Sequence, residues 1–184
     1  TKGPYTVMDK TKTPPSGDKH DYWSMSAYWW PNPDTKDGLP YIRKDGIRNP
    51  ELNEFDAPTK SAMLKAVTTL TLAYYFSGEQ KYAQKAVQLL DVWFLDPKTK
   101  MNPNLNFGQF IPGKKTGRGV GLIDTYDYIH LVDAISMLND SGNLTKEQYA
   151  GLKKWFDDFT QWMWTSPIAH EEYEAKNNHG LAYD

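Results

Sequence analysis

Residues 56–93 read DAPTKSAMLKAVTTLTLAYYFSGEQKYAQKAVQLLDVW, and this stretch decides the fold. Met63, Val67, Leu70 and Tyr74 recur at spacings of four, three and four, which is one face of an α-helix. Asp56 is placed to cap that helix, with Pro58 in its first turn, and Gly78 to end it. Tyr82, Ala86, Leu89 and Trp93 form a second stripe, closed by Pro97. So short a turn between two helices predicts antiparallel neighbours.

Working outward, the pattern recurs on the C-terminal side. A helix is expected from Leu122 to about Leu138, broken by Asp140-Ser-Gly-Asn. Thr145 and Gln148 then make a capping box. Tyr149, Leu152, Phe156, Phe159 and Met163 form the cleanest stripe in the chain. Ser166-Pro167 starts a further short helix, which Asn177-Asn178-His179-Gly180 interrupts. No segment reads as a convincing strand. The expected fold is therefore all-α, with antiparallel helix pairs in a solenoid or a closed α/α toroid. No internal repeat supports a regular solenoid. A toroid needs more helix pairs than residues 56–184 offer.

Two stretches escape the helical period. Residues 1–55 are rich in Pro, Gly and Asp and read as irregular, a length often tied to function. Residues 97–121 form a second long loop, ending in Gly117-Arg118-Gly119-Val120-Gly121. Glycines at that density let backbone approach something closely or turn sharply. The run lacks the Gly-Lys-Ser/Thr ending of a phosphate loop, and nucleotide binding is rejected.

Composition narrows the function classes. With 184 residues one domain is favoured, and with no cysteine there is no disulfide, thiolate metal site or cysteine nucleophile. No apolar run is long enough to span a membrane. A net charge of −2 gives no global pull toward nucleic acid or an anionic membrane. Basic residues are nonetheless grouped locally, Lys114, Lys115 and Arg118 in one loop and Arg43, Lys44 and Arg48 in another. Tyr22, Trp23, Tyr28, Trp29 and Trp30 crowd into nine residues. Flat rings with polar edges suit sugar faces, and they suit core packing equally well.

Four stretches carry a resemblance: Gly17-Asp-Lys-His-Asp-Tyr-Trp23 running into Tyr28-Trp-Trp-Pro31; Pro40-Tyr-Ile-Arg-Lys-Asp-Gly46 with Asn49-Pro-Glu51; Asn102-Pro-Asn-Leu105 through Gln109 to Gly117-Arg-Gly119; and Asn177-Asn-His-Gly180. In this order they resemble the alginate lyase superfamily of polysaccharide lyases. The resemblance spans nearly the whole chain and makes it the N-terminal part of a single α/α-toroid domain, an incomplete barrel with long functional loops. It implies β-elimination on an anionic, uronate-containing glycan. The C5 proton is removed, the 4-linked sugar leaves, and an unsaturated uronate remains.

That chemistry needs neutralisation of the carboxylate, a base at H5 and an acid for the leaving oxygen. Carried over, the catalytic pair is Asn178 and His179. Gln109 and Arg118 are candidates to bind the anionic sugar, or to brace their loop through backbone carbonyls. His20, Tyr28, Trp29 and Trp30 are candidates to line subsites. The family's tyrosine and arginine generally lie beyond the Asn-His pair, where only Leu181, Ala182, Tyr183 and Asp184 follow. A C-terminal segment of the same domain is thus the expected partner, with the polysaccharide as substrate. The expected location is periplasmic or secreted, a signal peptide having been removed. No cofactor or metal is required, His130 and His170 lacking zinc-site spacing; a bound calcium stays open.

Two other readings compete. An inverting glycoside hydrolase on the same scaffold needs two carboxylates about 6.5–9.5 Å apart across the cleft. Asp124 and Asp127, three apart, do not obviously flank a bond. A non-catalytic glycan-binding protein would use the same aromatic loops.

Overall fold

A computed structural model describes residues 2–176 and 180. The chain is mainly helical. Helix α1 (Asp56–Ser77) and helix α2 (Gln80–Leu90) are joined by Gly78 and Glu79, and pack against each other. Gly78 sits at φ 70°, the left-handed geometry that ends a helix most cheaply when no side chain is present. Helices α3 (Tyr128–Asp140), α4 (Lys146–Thr165) and α5 (Pro167–Tyr173) follow. Among the described residues these helices close no barrel.

The apolar stripes pack as their periods require. Met63, Val67 and Leu70 of α1 face Ala86, Leu89 and Leu90 of α2 in one core. After Leu90 the chain widens into a π-turn, Asp91–Leu95, before Pro97 is reached. The wider turn buries the adjacent Trp93 and Phe94 together. Phe94 meets Trp155 edge-on at 4.7 Å, and Trp155 stacks on Phe159 at 5.4 Å. On α4 the buried residues are Leu152, Trp155 and Phe159, whereas Tyr149 lies on the exposed side. The Thr145 box forms as expected, its hydroxyl accepting from the Gln148 N–H at 3.1 Å.

Three expectations need correction. Asp56 does not cap α1: it is the first helical residue, and Phe55 stands at the cap without a side-chain bond. The Asp56 carboxylate instead accepts the Trp23 N–H at 2.8 Å and pairs with Lys10 at 3.0 Å. Residues 119–125 form a 3₁₀ turn, and α3 begins only at Tyr128. The glycines of that run prefer close backbone approach to α-helix: a side chain at Gly121 would strike the Gly108 backbone, and one at Gly117 the Asn106 carbonyl.

Strands do occur, four of them among the described residues, in the segments that read as irregular. Strand β1 (Trp23–Met25) pairs in parallel with β4 (Phe107–Phe110), and β2 (Trp29–Trp30) pairs antiparallel with β3 (Ile42–Arg43). At two to four residues each, they are too short to show an alternating pattern. They build a lobe on α1, with its own small core of Met25, Leu52 and Phe55 packed by Trp23 and Phe110.

Candidate functional site

The strand lobe and the N-terminal turn of α1 enclose a cleft of about 840 Å³. Tyr28 and Trp29 come from the β2 segment, Arg43 and Arg48 from β3 and the loop after it, and Lys60 from α1. Gln109 comes from β4, and Arg118, Asp124 and Asp127 from the 3₁₀ turn and its flanks. Four of the residues singled out in the sequence, Tyr28, Trp29, Gln109 and Arg118, thus meet in one wall.

Gln109 is there because the sheet is irregular. Trp23 pairs with Phe107 but Met25 with Phe110, so β4 carries one residue more than β1. Such a bulge re-aims side chains. Gln109 takes φ 51°, and a non-glycine residue in that region costs on the order of 1–3 kcal/mol. Its surroundings hold it there. The Gln109 N–H donates to Ser24 Oγ at 2.8 Å, and its carbonyl accepts from Ser26 Oγ at 2.8 Å and Arg118 Nε at 2.9 Å.

The Gln109 amide is oriented by Asp124. Asp124 Oδ2 accepts from the Tyr22 hydroxyl at 3.0 Å and Ser24 Oγ at 2.5 Å, and its Oδ1 accepts from Gln109 Nε2 at 2.8 Å. An ionised carboxylate only accepts, so the Gln109 nitrogen must face Asp124. Burial, with Asp124 alongside, pushes the Tyr22 hydroxyl well above its ordinary value, so it remains a donor.

Arg118 braces and faces the cleft at once. Besides the Gln109 carbonyl it reaches Ser26 Oγ through Nη2 at 2.5 Å, which leaves other donors of its fork unused by these bonds. Burial pulls its proton affinity down, and Glu171 and Glu172 oppose that. Trp29 carries the Lys114 ammonium 4.8 Å from its ring centroid, a cation–π contact at the rim.

Trp30 stands beside the cleft, outside its wall, with its indole N–H on the Ile47 carbonyl at 2.8 Å and Lys44 over its ring at 5.3 Å. His20 lies elsewhere. Its Nδ1 is 2.6 Å from the Lys100 carbonyl oxygen, and it shares a loop junction where Asn102 donates to Asp18 and Asp21. Asn178, His179 and Tyr183 lie outside the described residues. Among the described residues no group of His, Asp and Glu is arranged to hold a metal ion, and no helix is long and apolar enough to cross a membrane.

Lys60 and Asp124 escaped the sequence reading as site residues. A signal for Lys60 was present: Asp56 and Lys60 continue the Met63–Val67–Leu70 stripe backward at the same spacing. Charges in register with a buried face are the anomaly to look for.

Fold and cleft together define a protein of helical hairpins with a loop-built groove lined by aromatic and cationic side chains. The alginate lyase family model matches residues 6–184, and the chain belongs to that family. The crystal structure of an alginate lyase from Bacteroides ovatus is similar to it, with 59% sequence identity and a TM-score of 0.96. That match covers 100% of this chain and 49% of the other, so the chain spans about half the length of the solved relative. No curated protein matches the chain.

Proposed function

We propose that this chain supplies the N-terminal part of a polysaccharide lyase domain that cleaves 4-linked uronate glycans by β-elimination. The observation that carries the reading is the cleft, which Arg43, Arg48 and Arg118 line together with Tyr28 and Trp29. Cationic side chains match the carboxylates of a polyuronate, and the rings match its sugar faces. Family membership supplies the reaction class.

In this reading Asn178 and His179 act on the uronate carboxylate and on H5. H5 is barely acidic while the carboxylate keeps its full charge, so a donor and an imidazole beside that group lower the barrier together. In the complete enzyme, His179→Ala and Asn178→Ala are each expected to depress kcat by about 10²–10³, with the fold retained. A tyrosine acid and a further arginine come from a C-terminal segment, which also continues the helices toward a toroid. The exposed apolar side chains of α1 and α3 favour such a segment. Leu72, Tyr75, Phe76, Ile129 and Val132 are exposed, and a groove of about 470 Å³ runs between the two helices. A periplasmic or secreted location is part of the same proposal.

The test is a screen of polymannuronate, polyguluronate and polyglucuronate with the complete protein. Release of ultraviolet-absorbing unsaturated uronate supports a lyase. Reducing ends without that chromophore would make it a hydrolase, and binding without cleavage a glycan-binding module.

A further inference from the structure

Two lysines are buried in this chain, and they live very differently. Lys10 is 5% exposed, and all its donors are used. It donates to the Val7 carbonyl at 2.7 Å and the Lys19 carbonyl at 2.7 Å, and pairs with Asp56 at 3.0 Å. Lys60 is 3% exposed and lines the cleft. Among the described residues no carboxylate stands within ion-pair distance of its ammonium and no acceptor within hydrogen-bonding distance. Its nearest favourable contact is the Tyr128 ring, 5.8 Å from Nζ to the centroid.

Holding a lysine this deeply while its ammonium has only the cleft to turn to is costly. The neighbouring carboxylates do not offset that by contact. Asp124 already accepts from Tyr22, Ser24 and Gln109, and it and Asp127 reach Lys60 only through space. A group this poorly satisfied is where a fold carries a cost for another purpose. Met would fill the same space at lower cost.

We propose that Lys60 is an anion-recognition residue of the cleft, whose ammonium takes a sugar carboxylate as its missing partner. The inference rests on the uronate reading of the same site. A carboxylate in the cleft would give the largely buried Lys60 a charge-assisted hydrogen bond. Gln109, fixed by Asp124, leaves its side-chain carbonyl without a hydrogen bond among the described residues, able to accept from a hydroxyl of the same sugar. Arg118 and Lys60 would then hold the charged group and Gln109 the neutral one. Burial lowers the proton affinity of Lys60, and Asp124 and Asp127 raise it; an incoming carboxylate acts in their direction.

The experiment uses the complete enzyme and its Lys60→Met variant. Binding is measured by calorimetry with a uronate oligosaccharide one sugar shorter than the smallest that is cleaved, and with its carboxyl-reduced counterpart. Melting temperatures are read beside it. The expected result is a loss of about 10- to 100-fold in affinity for the uronate, with the reduced sugar bound equally by both proteins. The variant should melt no lower than the parent, because a largely desolvated lysine has given way to an apolar side chain of similar length. Unchanged affinity for the uronate overturns the proposal. So does an equal loss for both sugars, or a lower melting temperature that accounts for the loss, either of which makes Lys60 a structural residue. If the parent binds uronate and Lys60→Met does not, yet no unsaturated product appears from any polyuronate, Lys60 stands and the lyase reading falls. If the parent cleaves and the variant binds as well as the parent does, the lyase reading stands and Lys60 falls. Failure of the parent to bind any uronate overturns both.

Discussion

The helical half and the strand lobe are held together by different forces. In the helices, Trp93, Phe94, Trp155 and Phe159 stack and interlock, and few polar groups intervene. In the lobe a small aromatic core is joined by many long-range polar ties: Lys10 to Asp56, Tyr22 and Ser24 to Asp124, Ser26 to Gln109, Asn102 to Asp21. Apolar packing tolerates small shifts, whereas a hydrogen bond fixes distance and angle. The lesson is that the helices supply stability and the lobe supplies geometry. The cleft opens between them, with Lys60 contributed by the helical side and Gln109 and Arg118 by the other.

The contrast can be broken at either end. Trp155→Ala should have the largest effect, about 3–5 kcal/mol of global stability, because it opens a cavity in the aromatic stack. Thermal unfolding of the complete protein measures this. A loss below 1 kcal/mol would mean that the helical half does not depend on its stack.

Lys10→Met should follow, at about 3 kcal/mol, because it leaves the Asp56 carboxylate buried without its ion-pair partner. The double variant Lys10→Met/Asp56→Leu should recover much of that loss. Equal instability of single and double variants would show that the pair is not what ties the lobe to α1.

The same site predicts a pH effect. Burial raises Asp56 from 3.8 to about 6, against the pull of Lys10 and the Trp23 N–H. The folded chain therefore holds this proton more tightly than the unfolded one. The stability so gained is complete below pH 3.8 and is lost as pH rises through about 6. Denaturant melts between those pH values should show this downward trend in the parent and not in Asp56→Asn.

Asp124→Asn sharpens the comparison on the lobe side. The new amide must turn its oxygen to the donors at Tyr22 and Ser24, which sets its nitrogen against Gln109 and reverses the Gln109 amide. A loss of about 2 kcal/mol is expected, together with weaker oligosaccharide binding, read by melts and calorimetry. Unaltered binding would mean that the orientation of Gln109 is irrelevant. The smallest effect is Thr145→Ala, about 1 kcal/mol from the α4 cap, with the cleft unaffected. Hydrogen exchange confined to the first turn of α4 would confirm its locality.

The two halves also differ in how legible they were in the sequence. The stripes Met63–Val67–Leu70 and Ala86–Leu89–Trp93 declared their helices, since a period of 3.6 repeats enough times to be read. Thr145 and Gln148 declared a helix start through a local motif. The strands did not show, because two to four residues cannot display a period and the β1–β4 partners lie far apart in sequence. Asp56 obeys the same rule: its position suits a cap, and only the distant Lys10 and Trp23 reveal its actual use. Tyr28, Trp29, Gln109 and Arg118 could be singled out by residue type and resemblance. Lys60 shows only as a charge in register with the buried stripe of α1, a fainter signal than a motif.

The β1–β4 bulge carries a consequence for the order of folding. The bond from Gln109 to Ser24 joins residues 85 apart, and that from Ser24 to Asp124 joins residues 100 apart, with the α1–α2 hairpin inside the span. Contacts that close so long a loop form late, after local helices have shortened the distance to be crossed. The hairpin is accordingly the template, and the bulge that aims Gln109 is among the last parts to assemble. A chain arrested before that step would have its helices and no cleft.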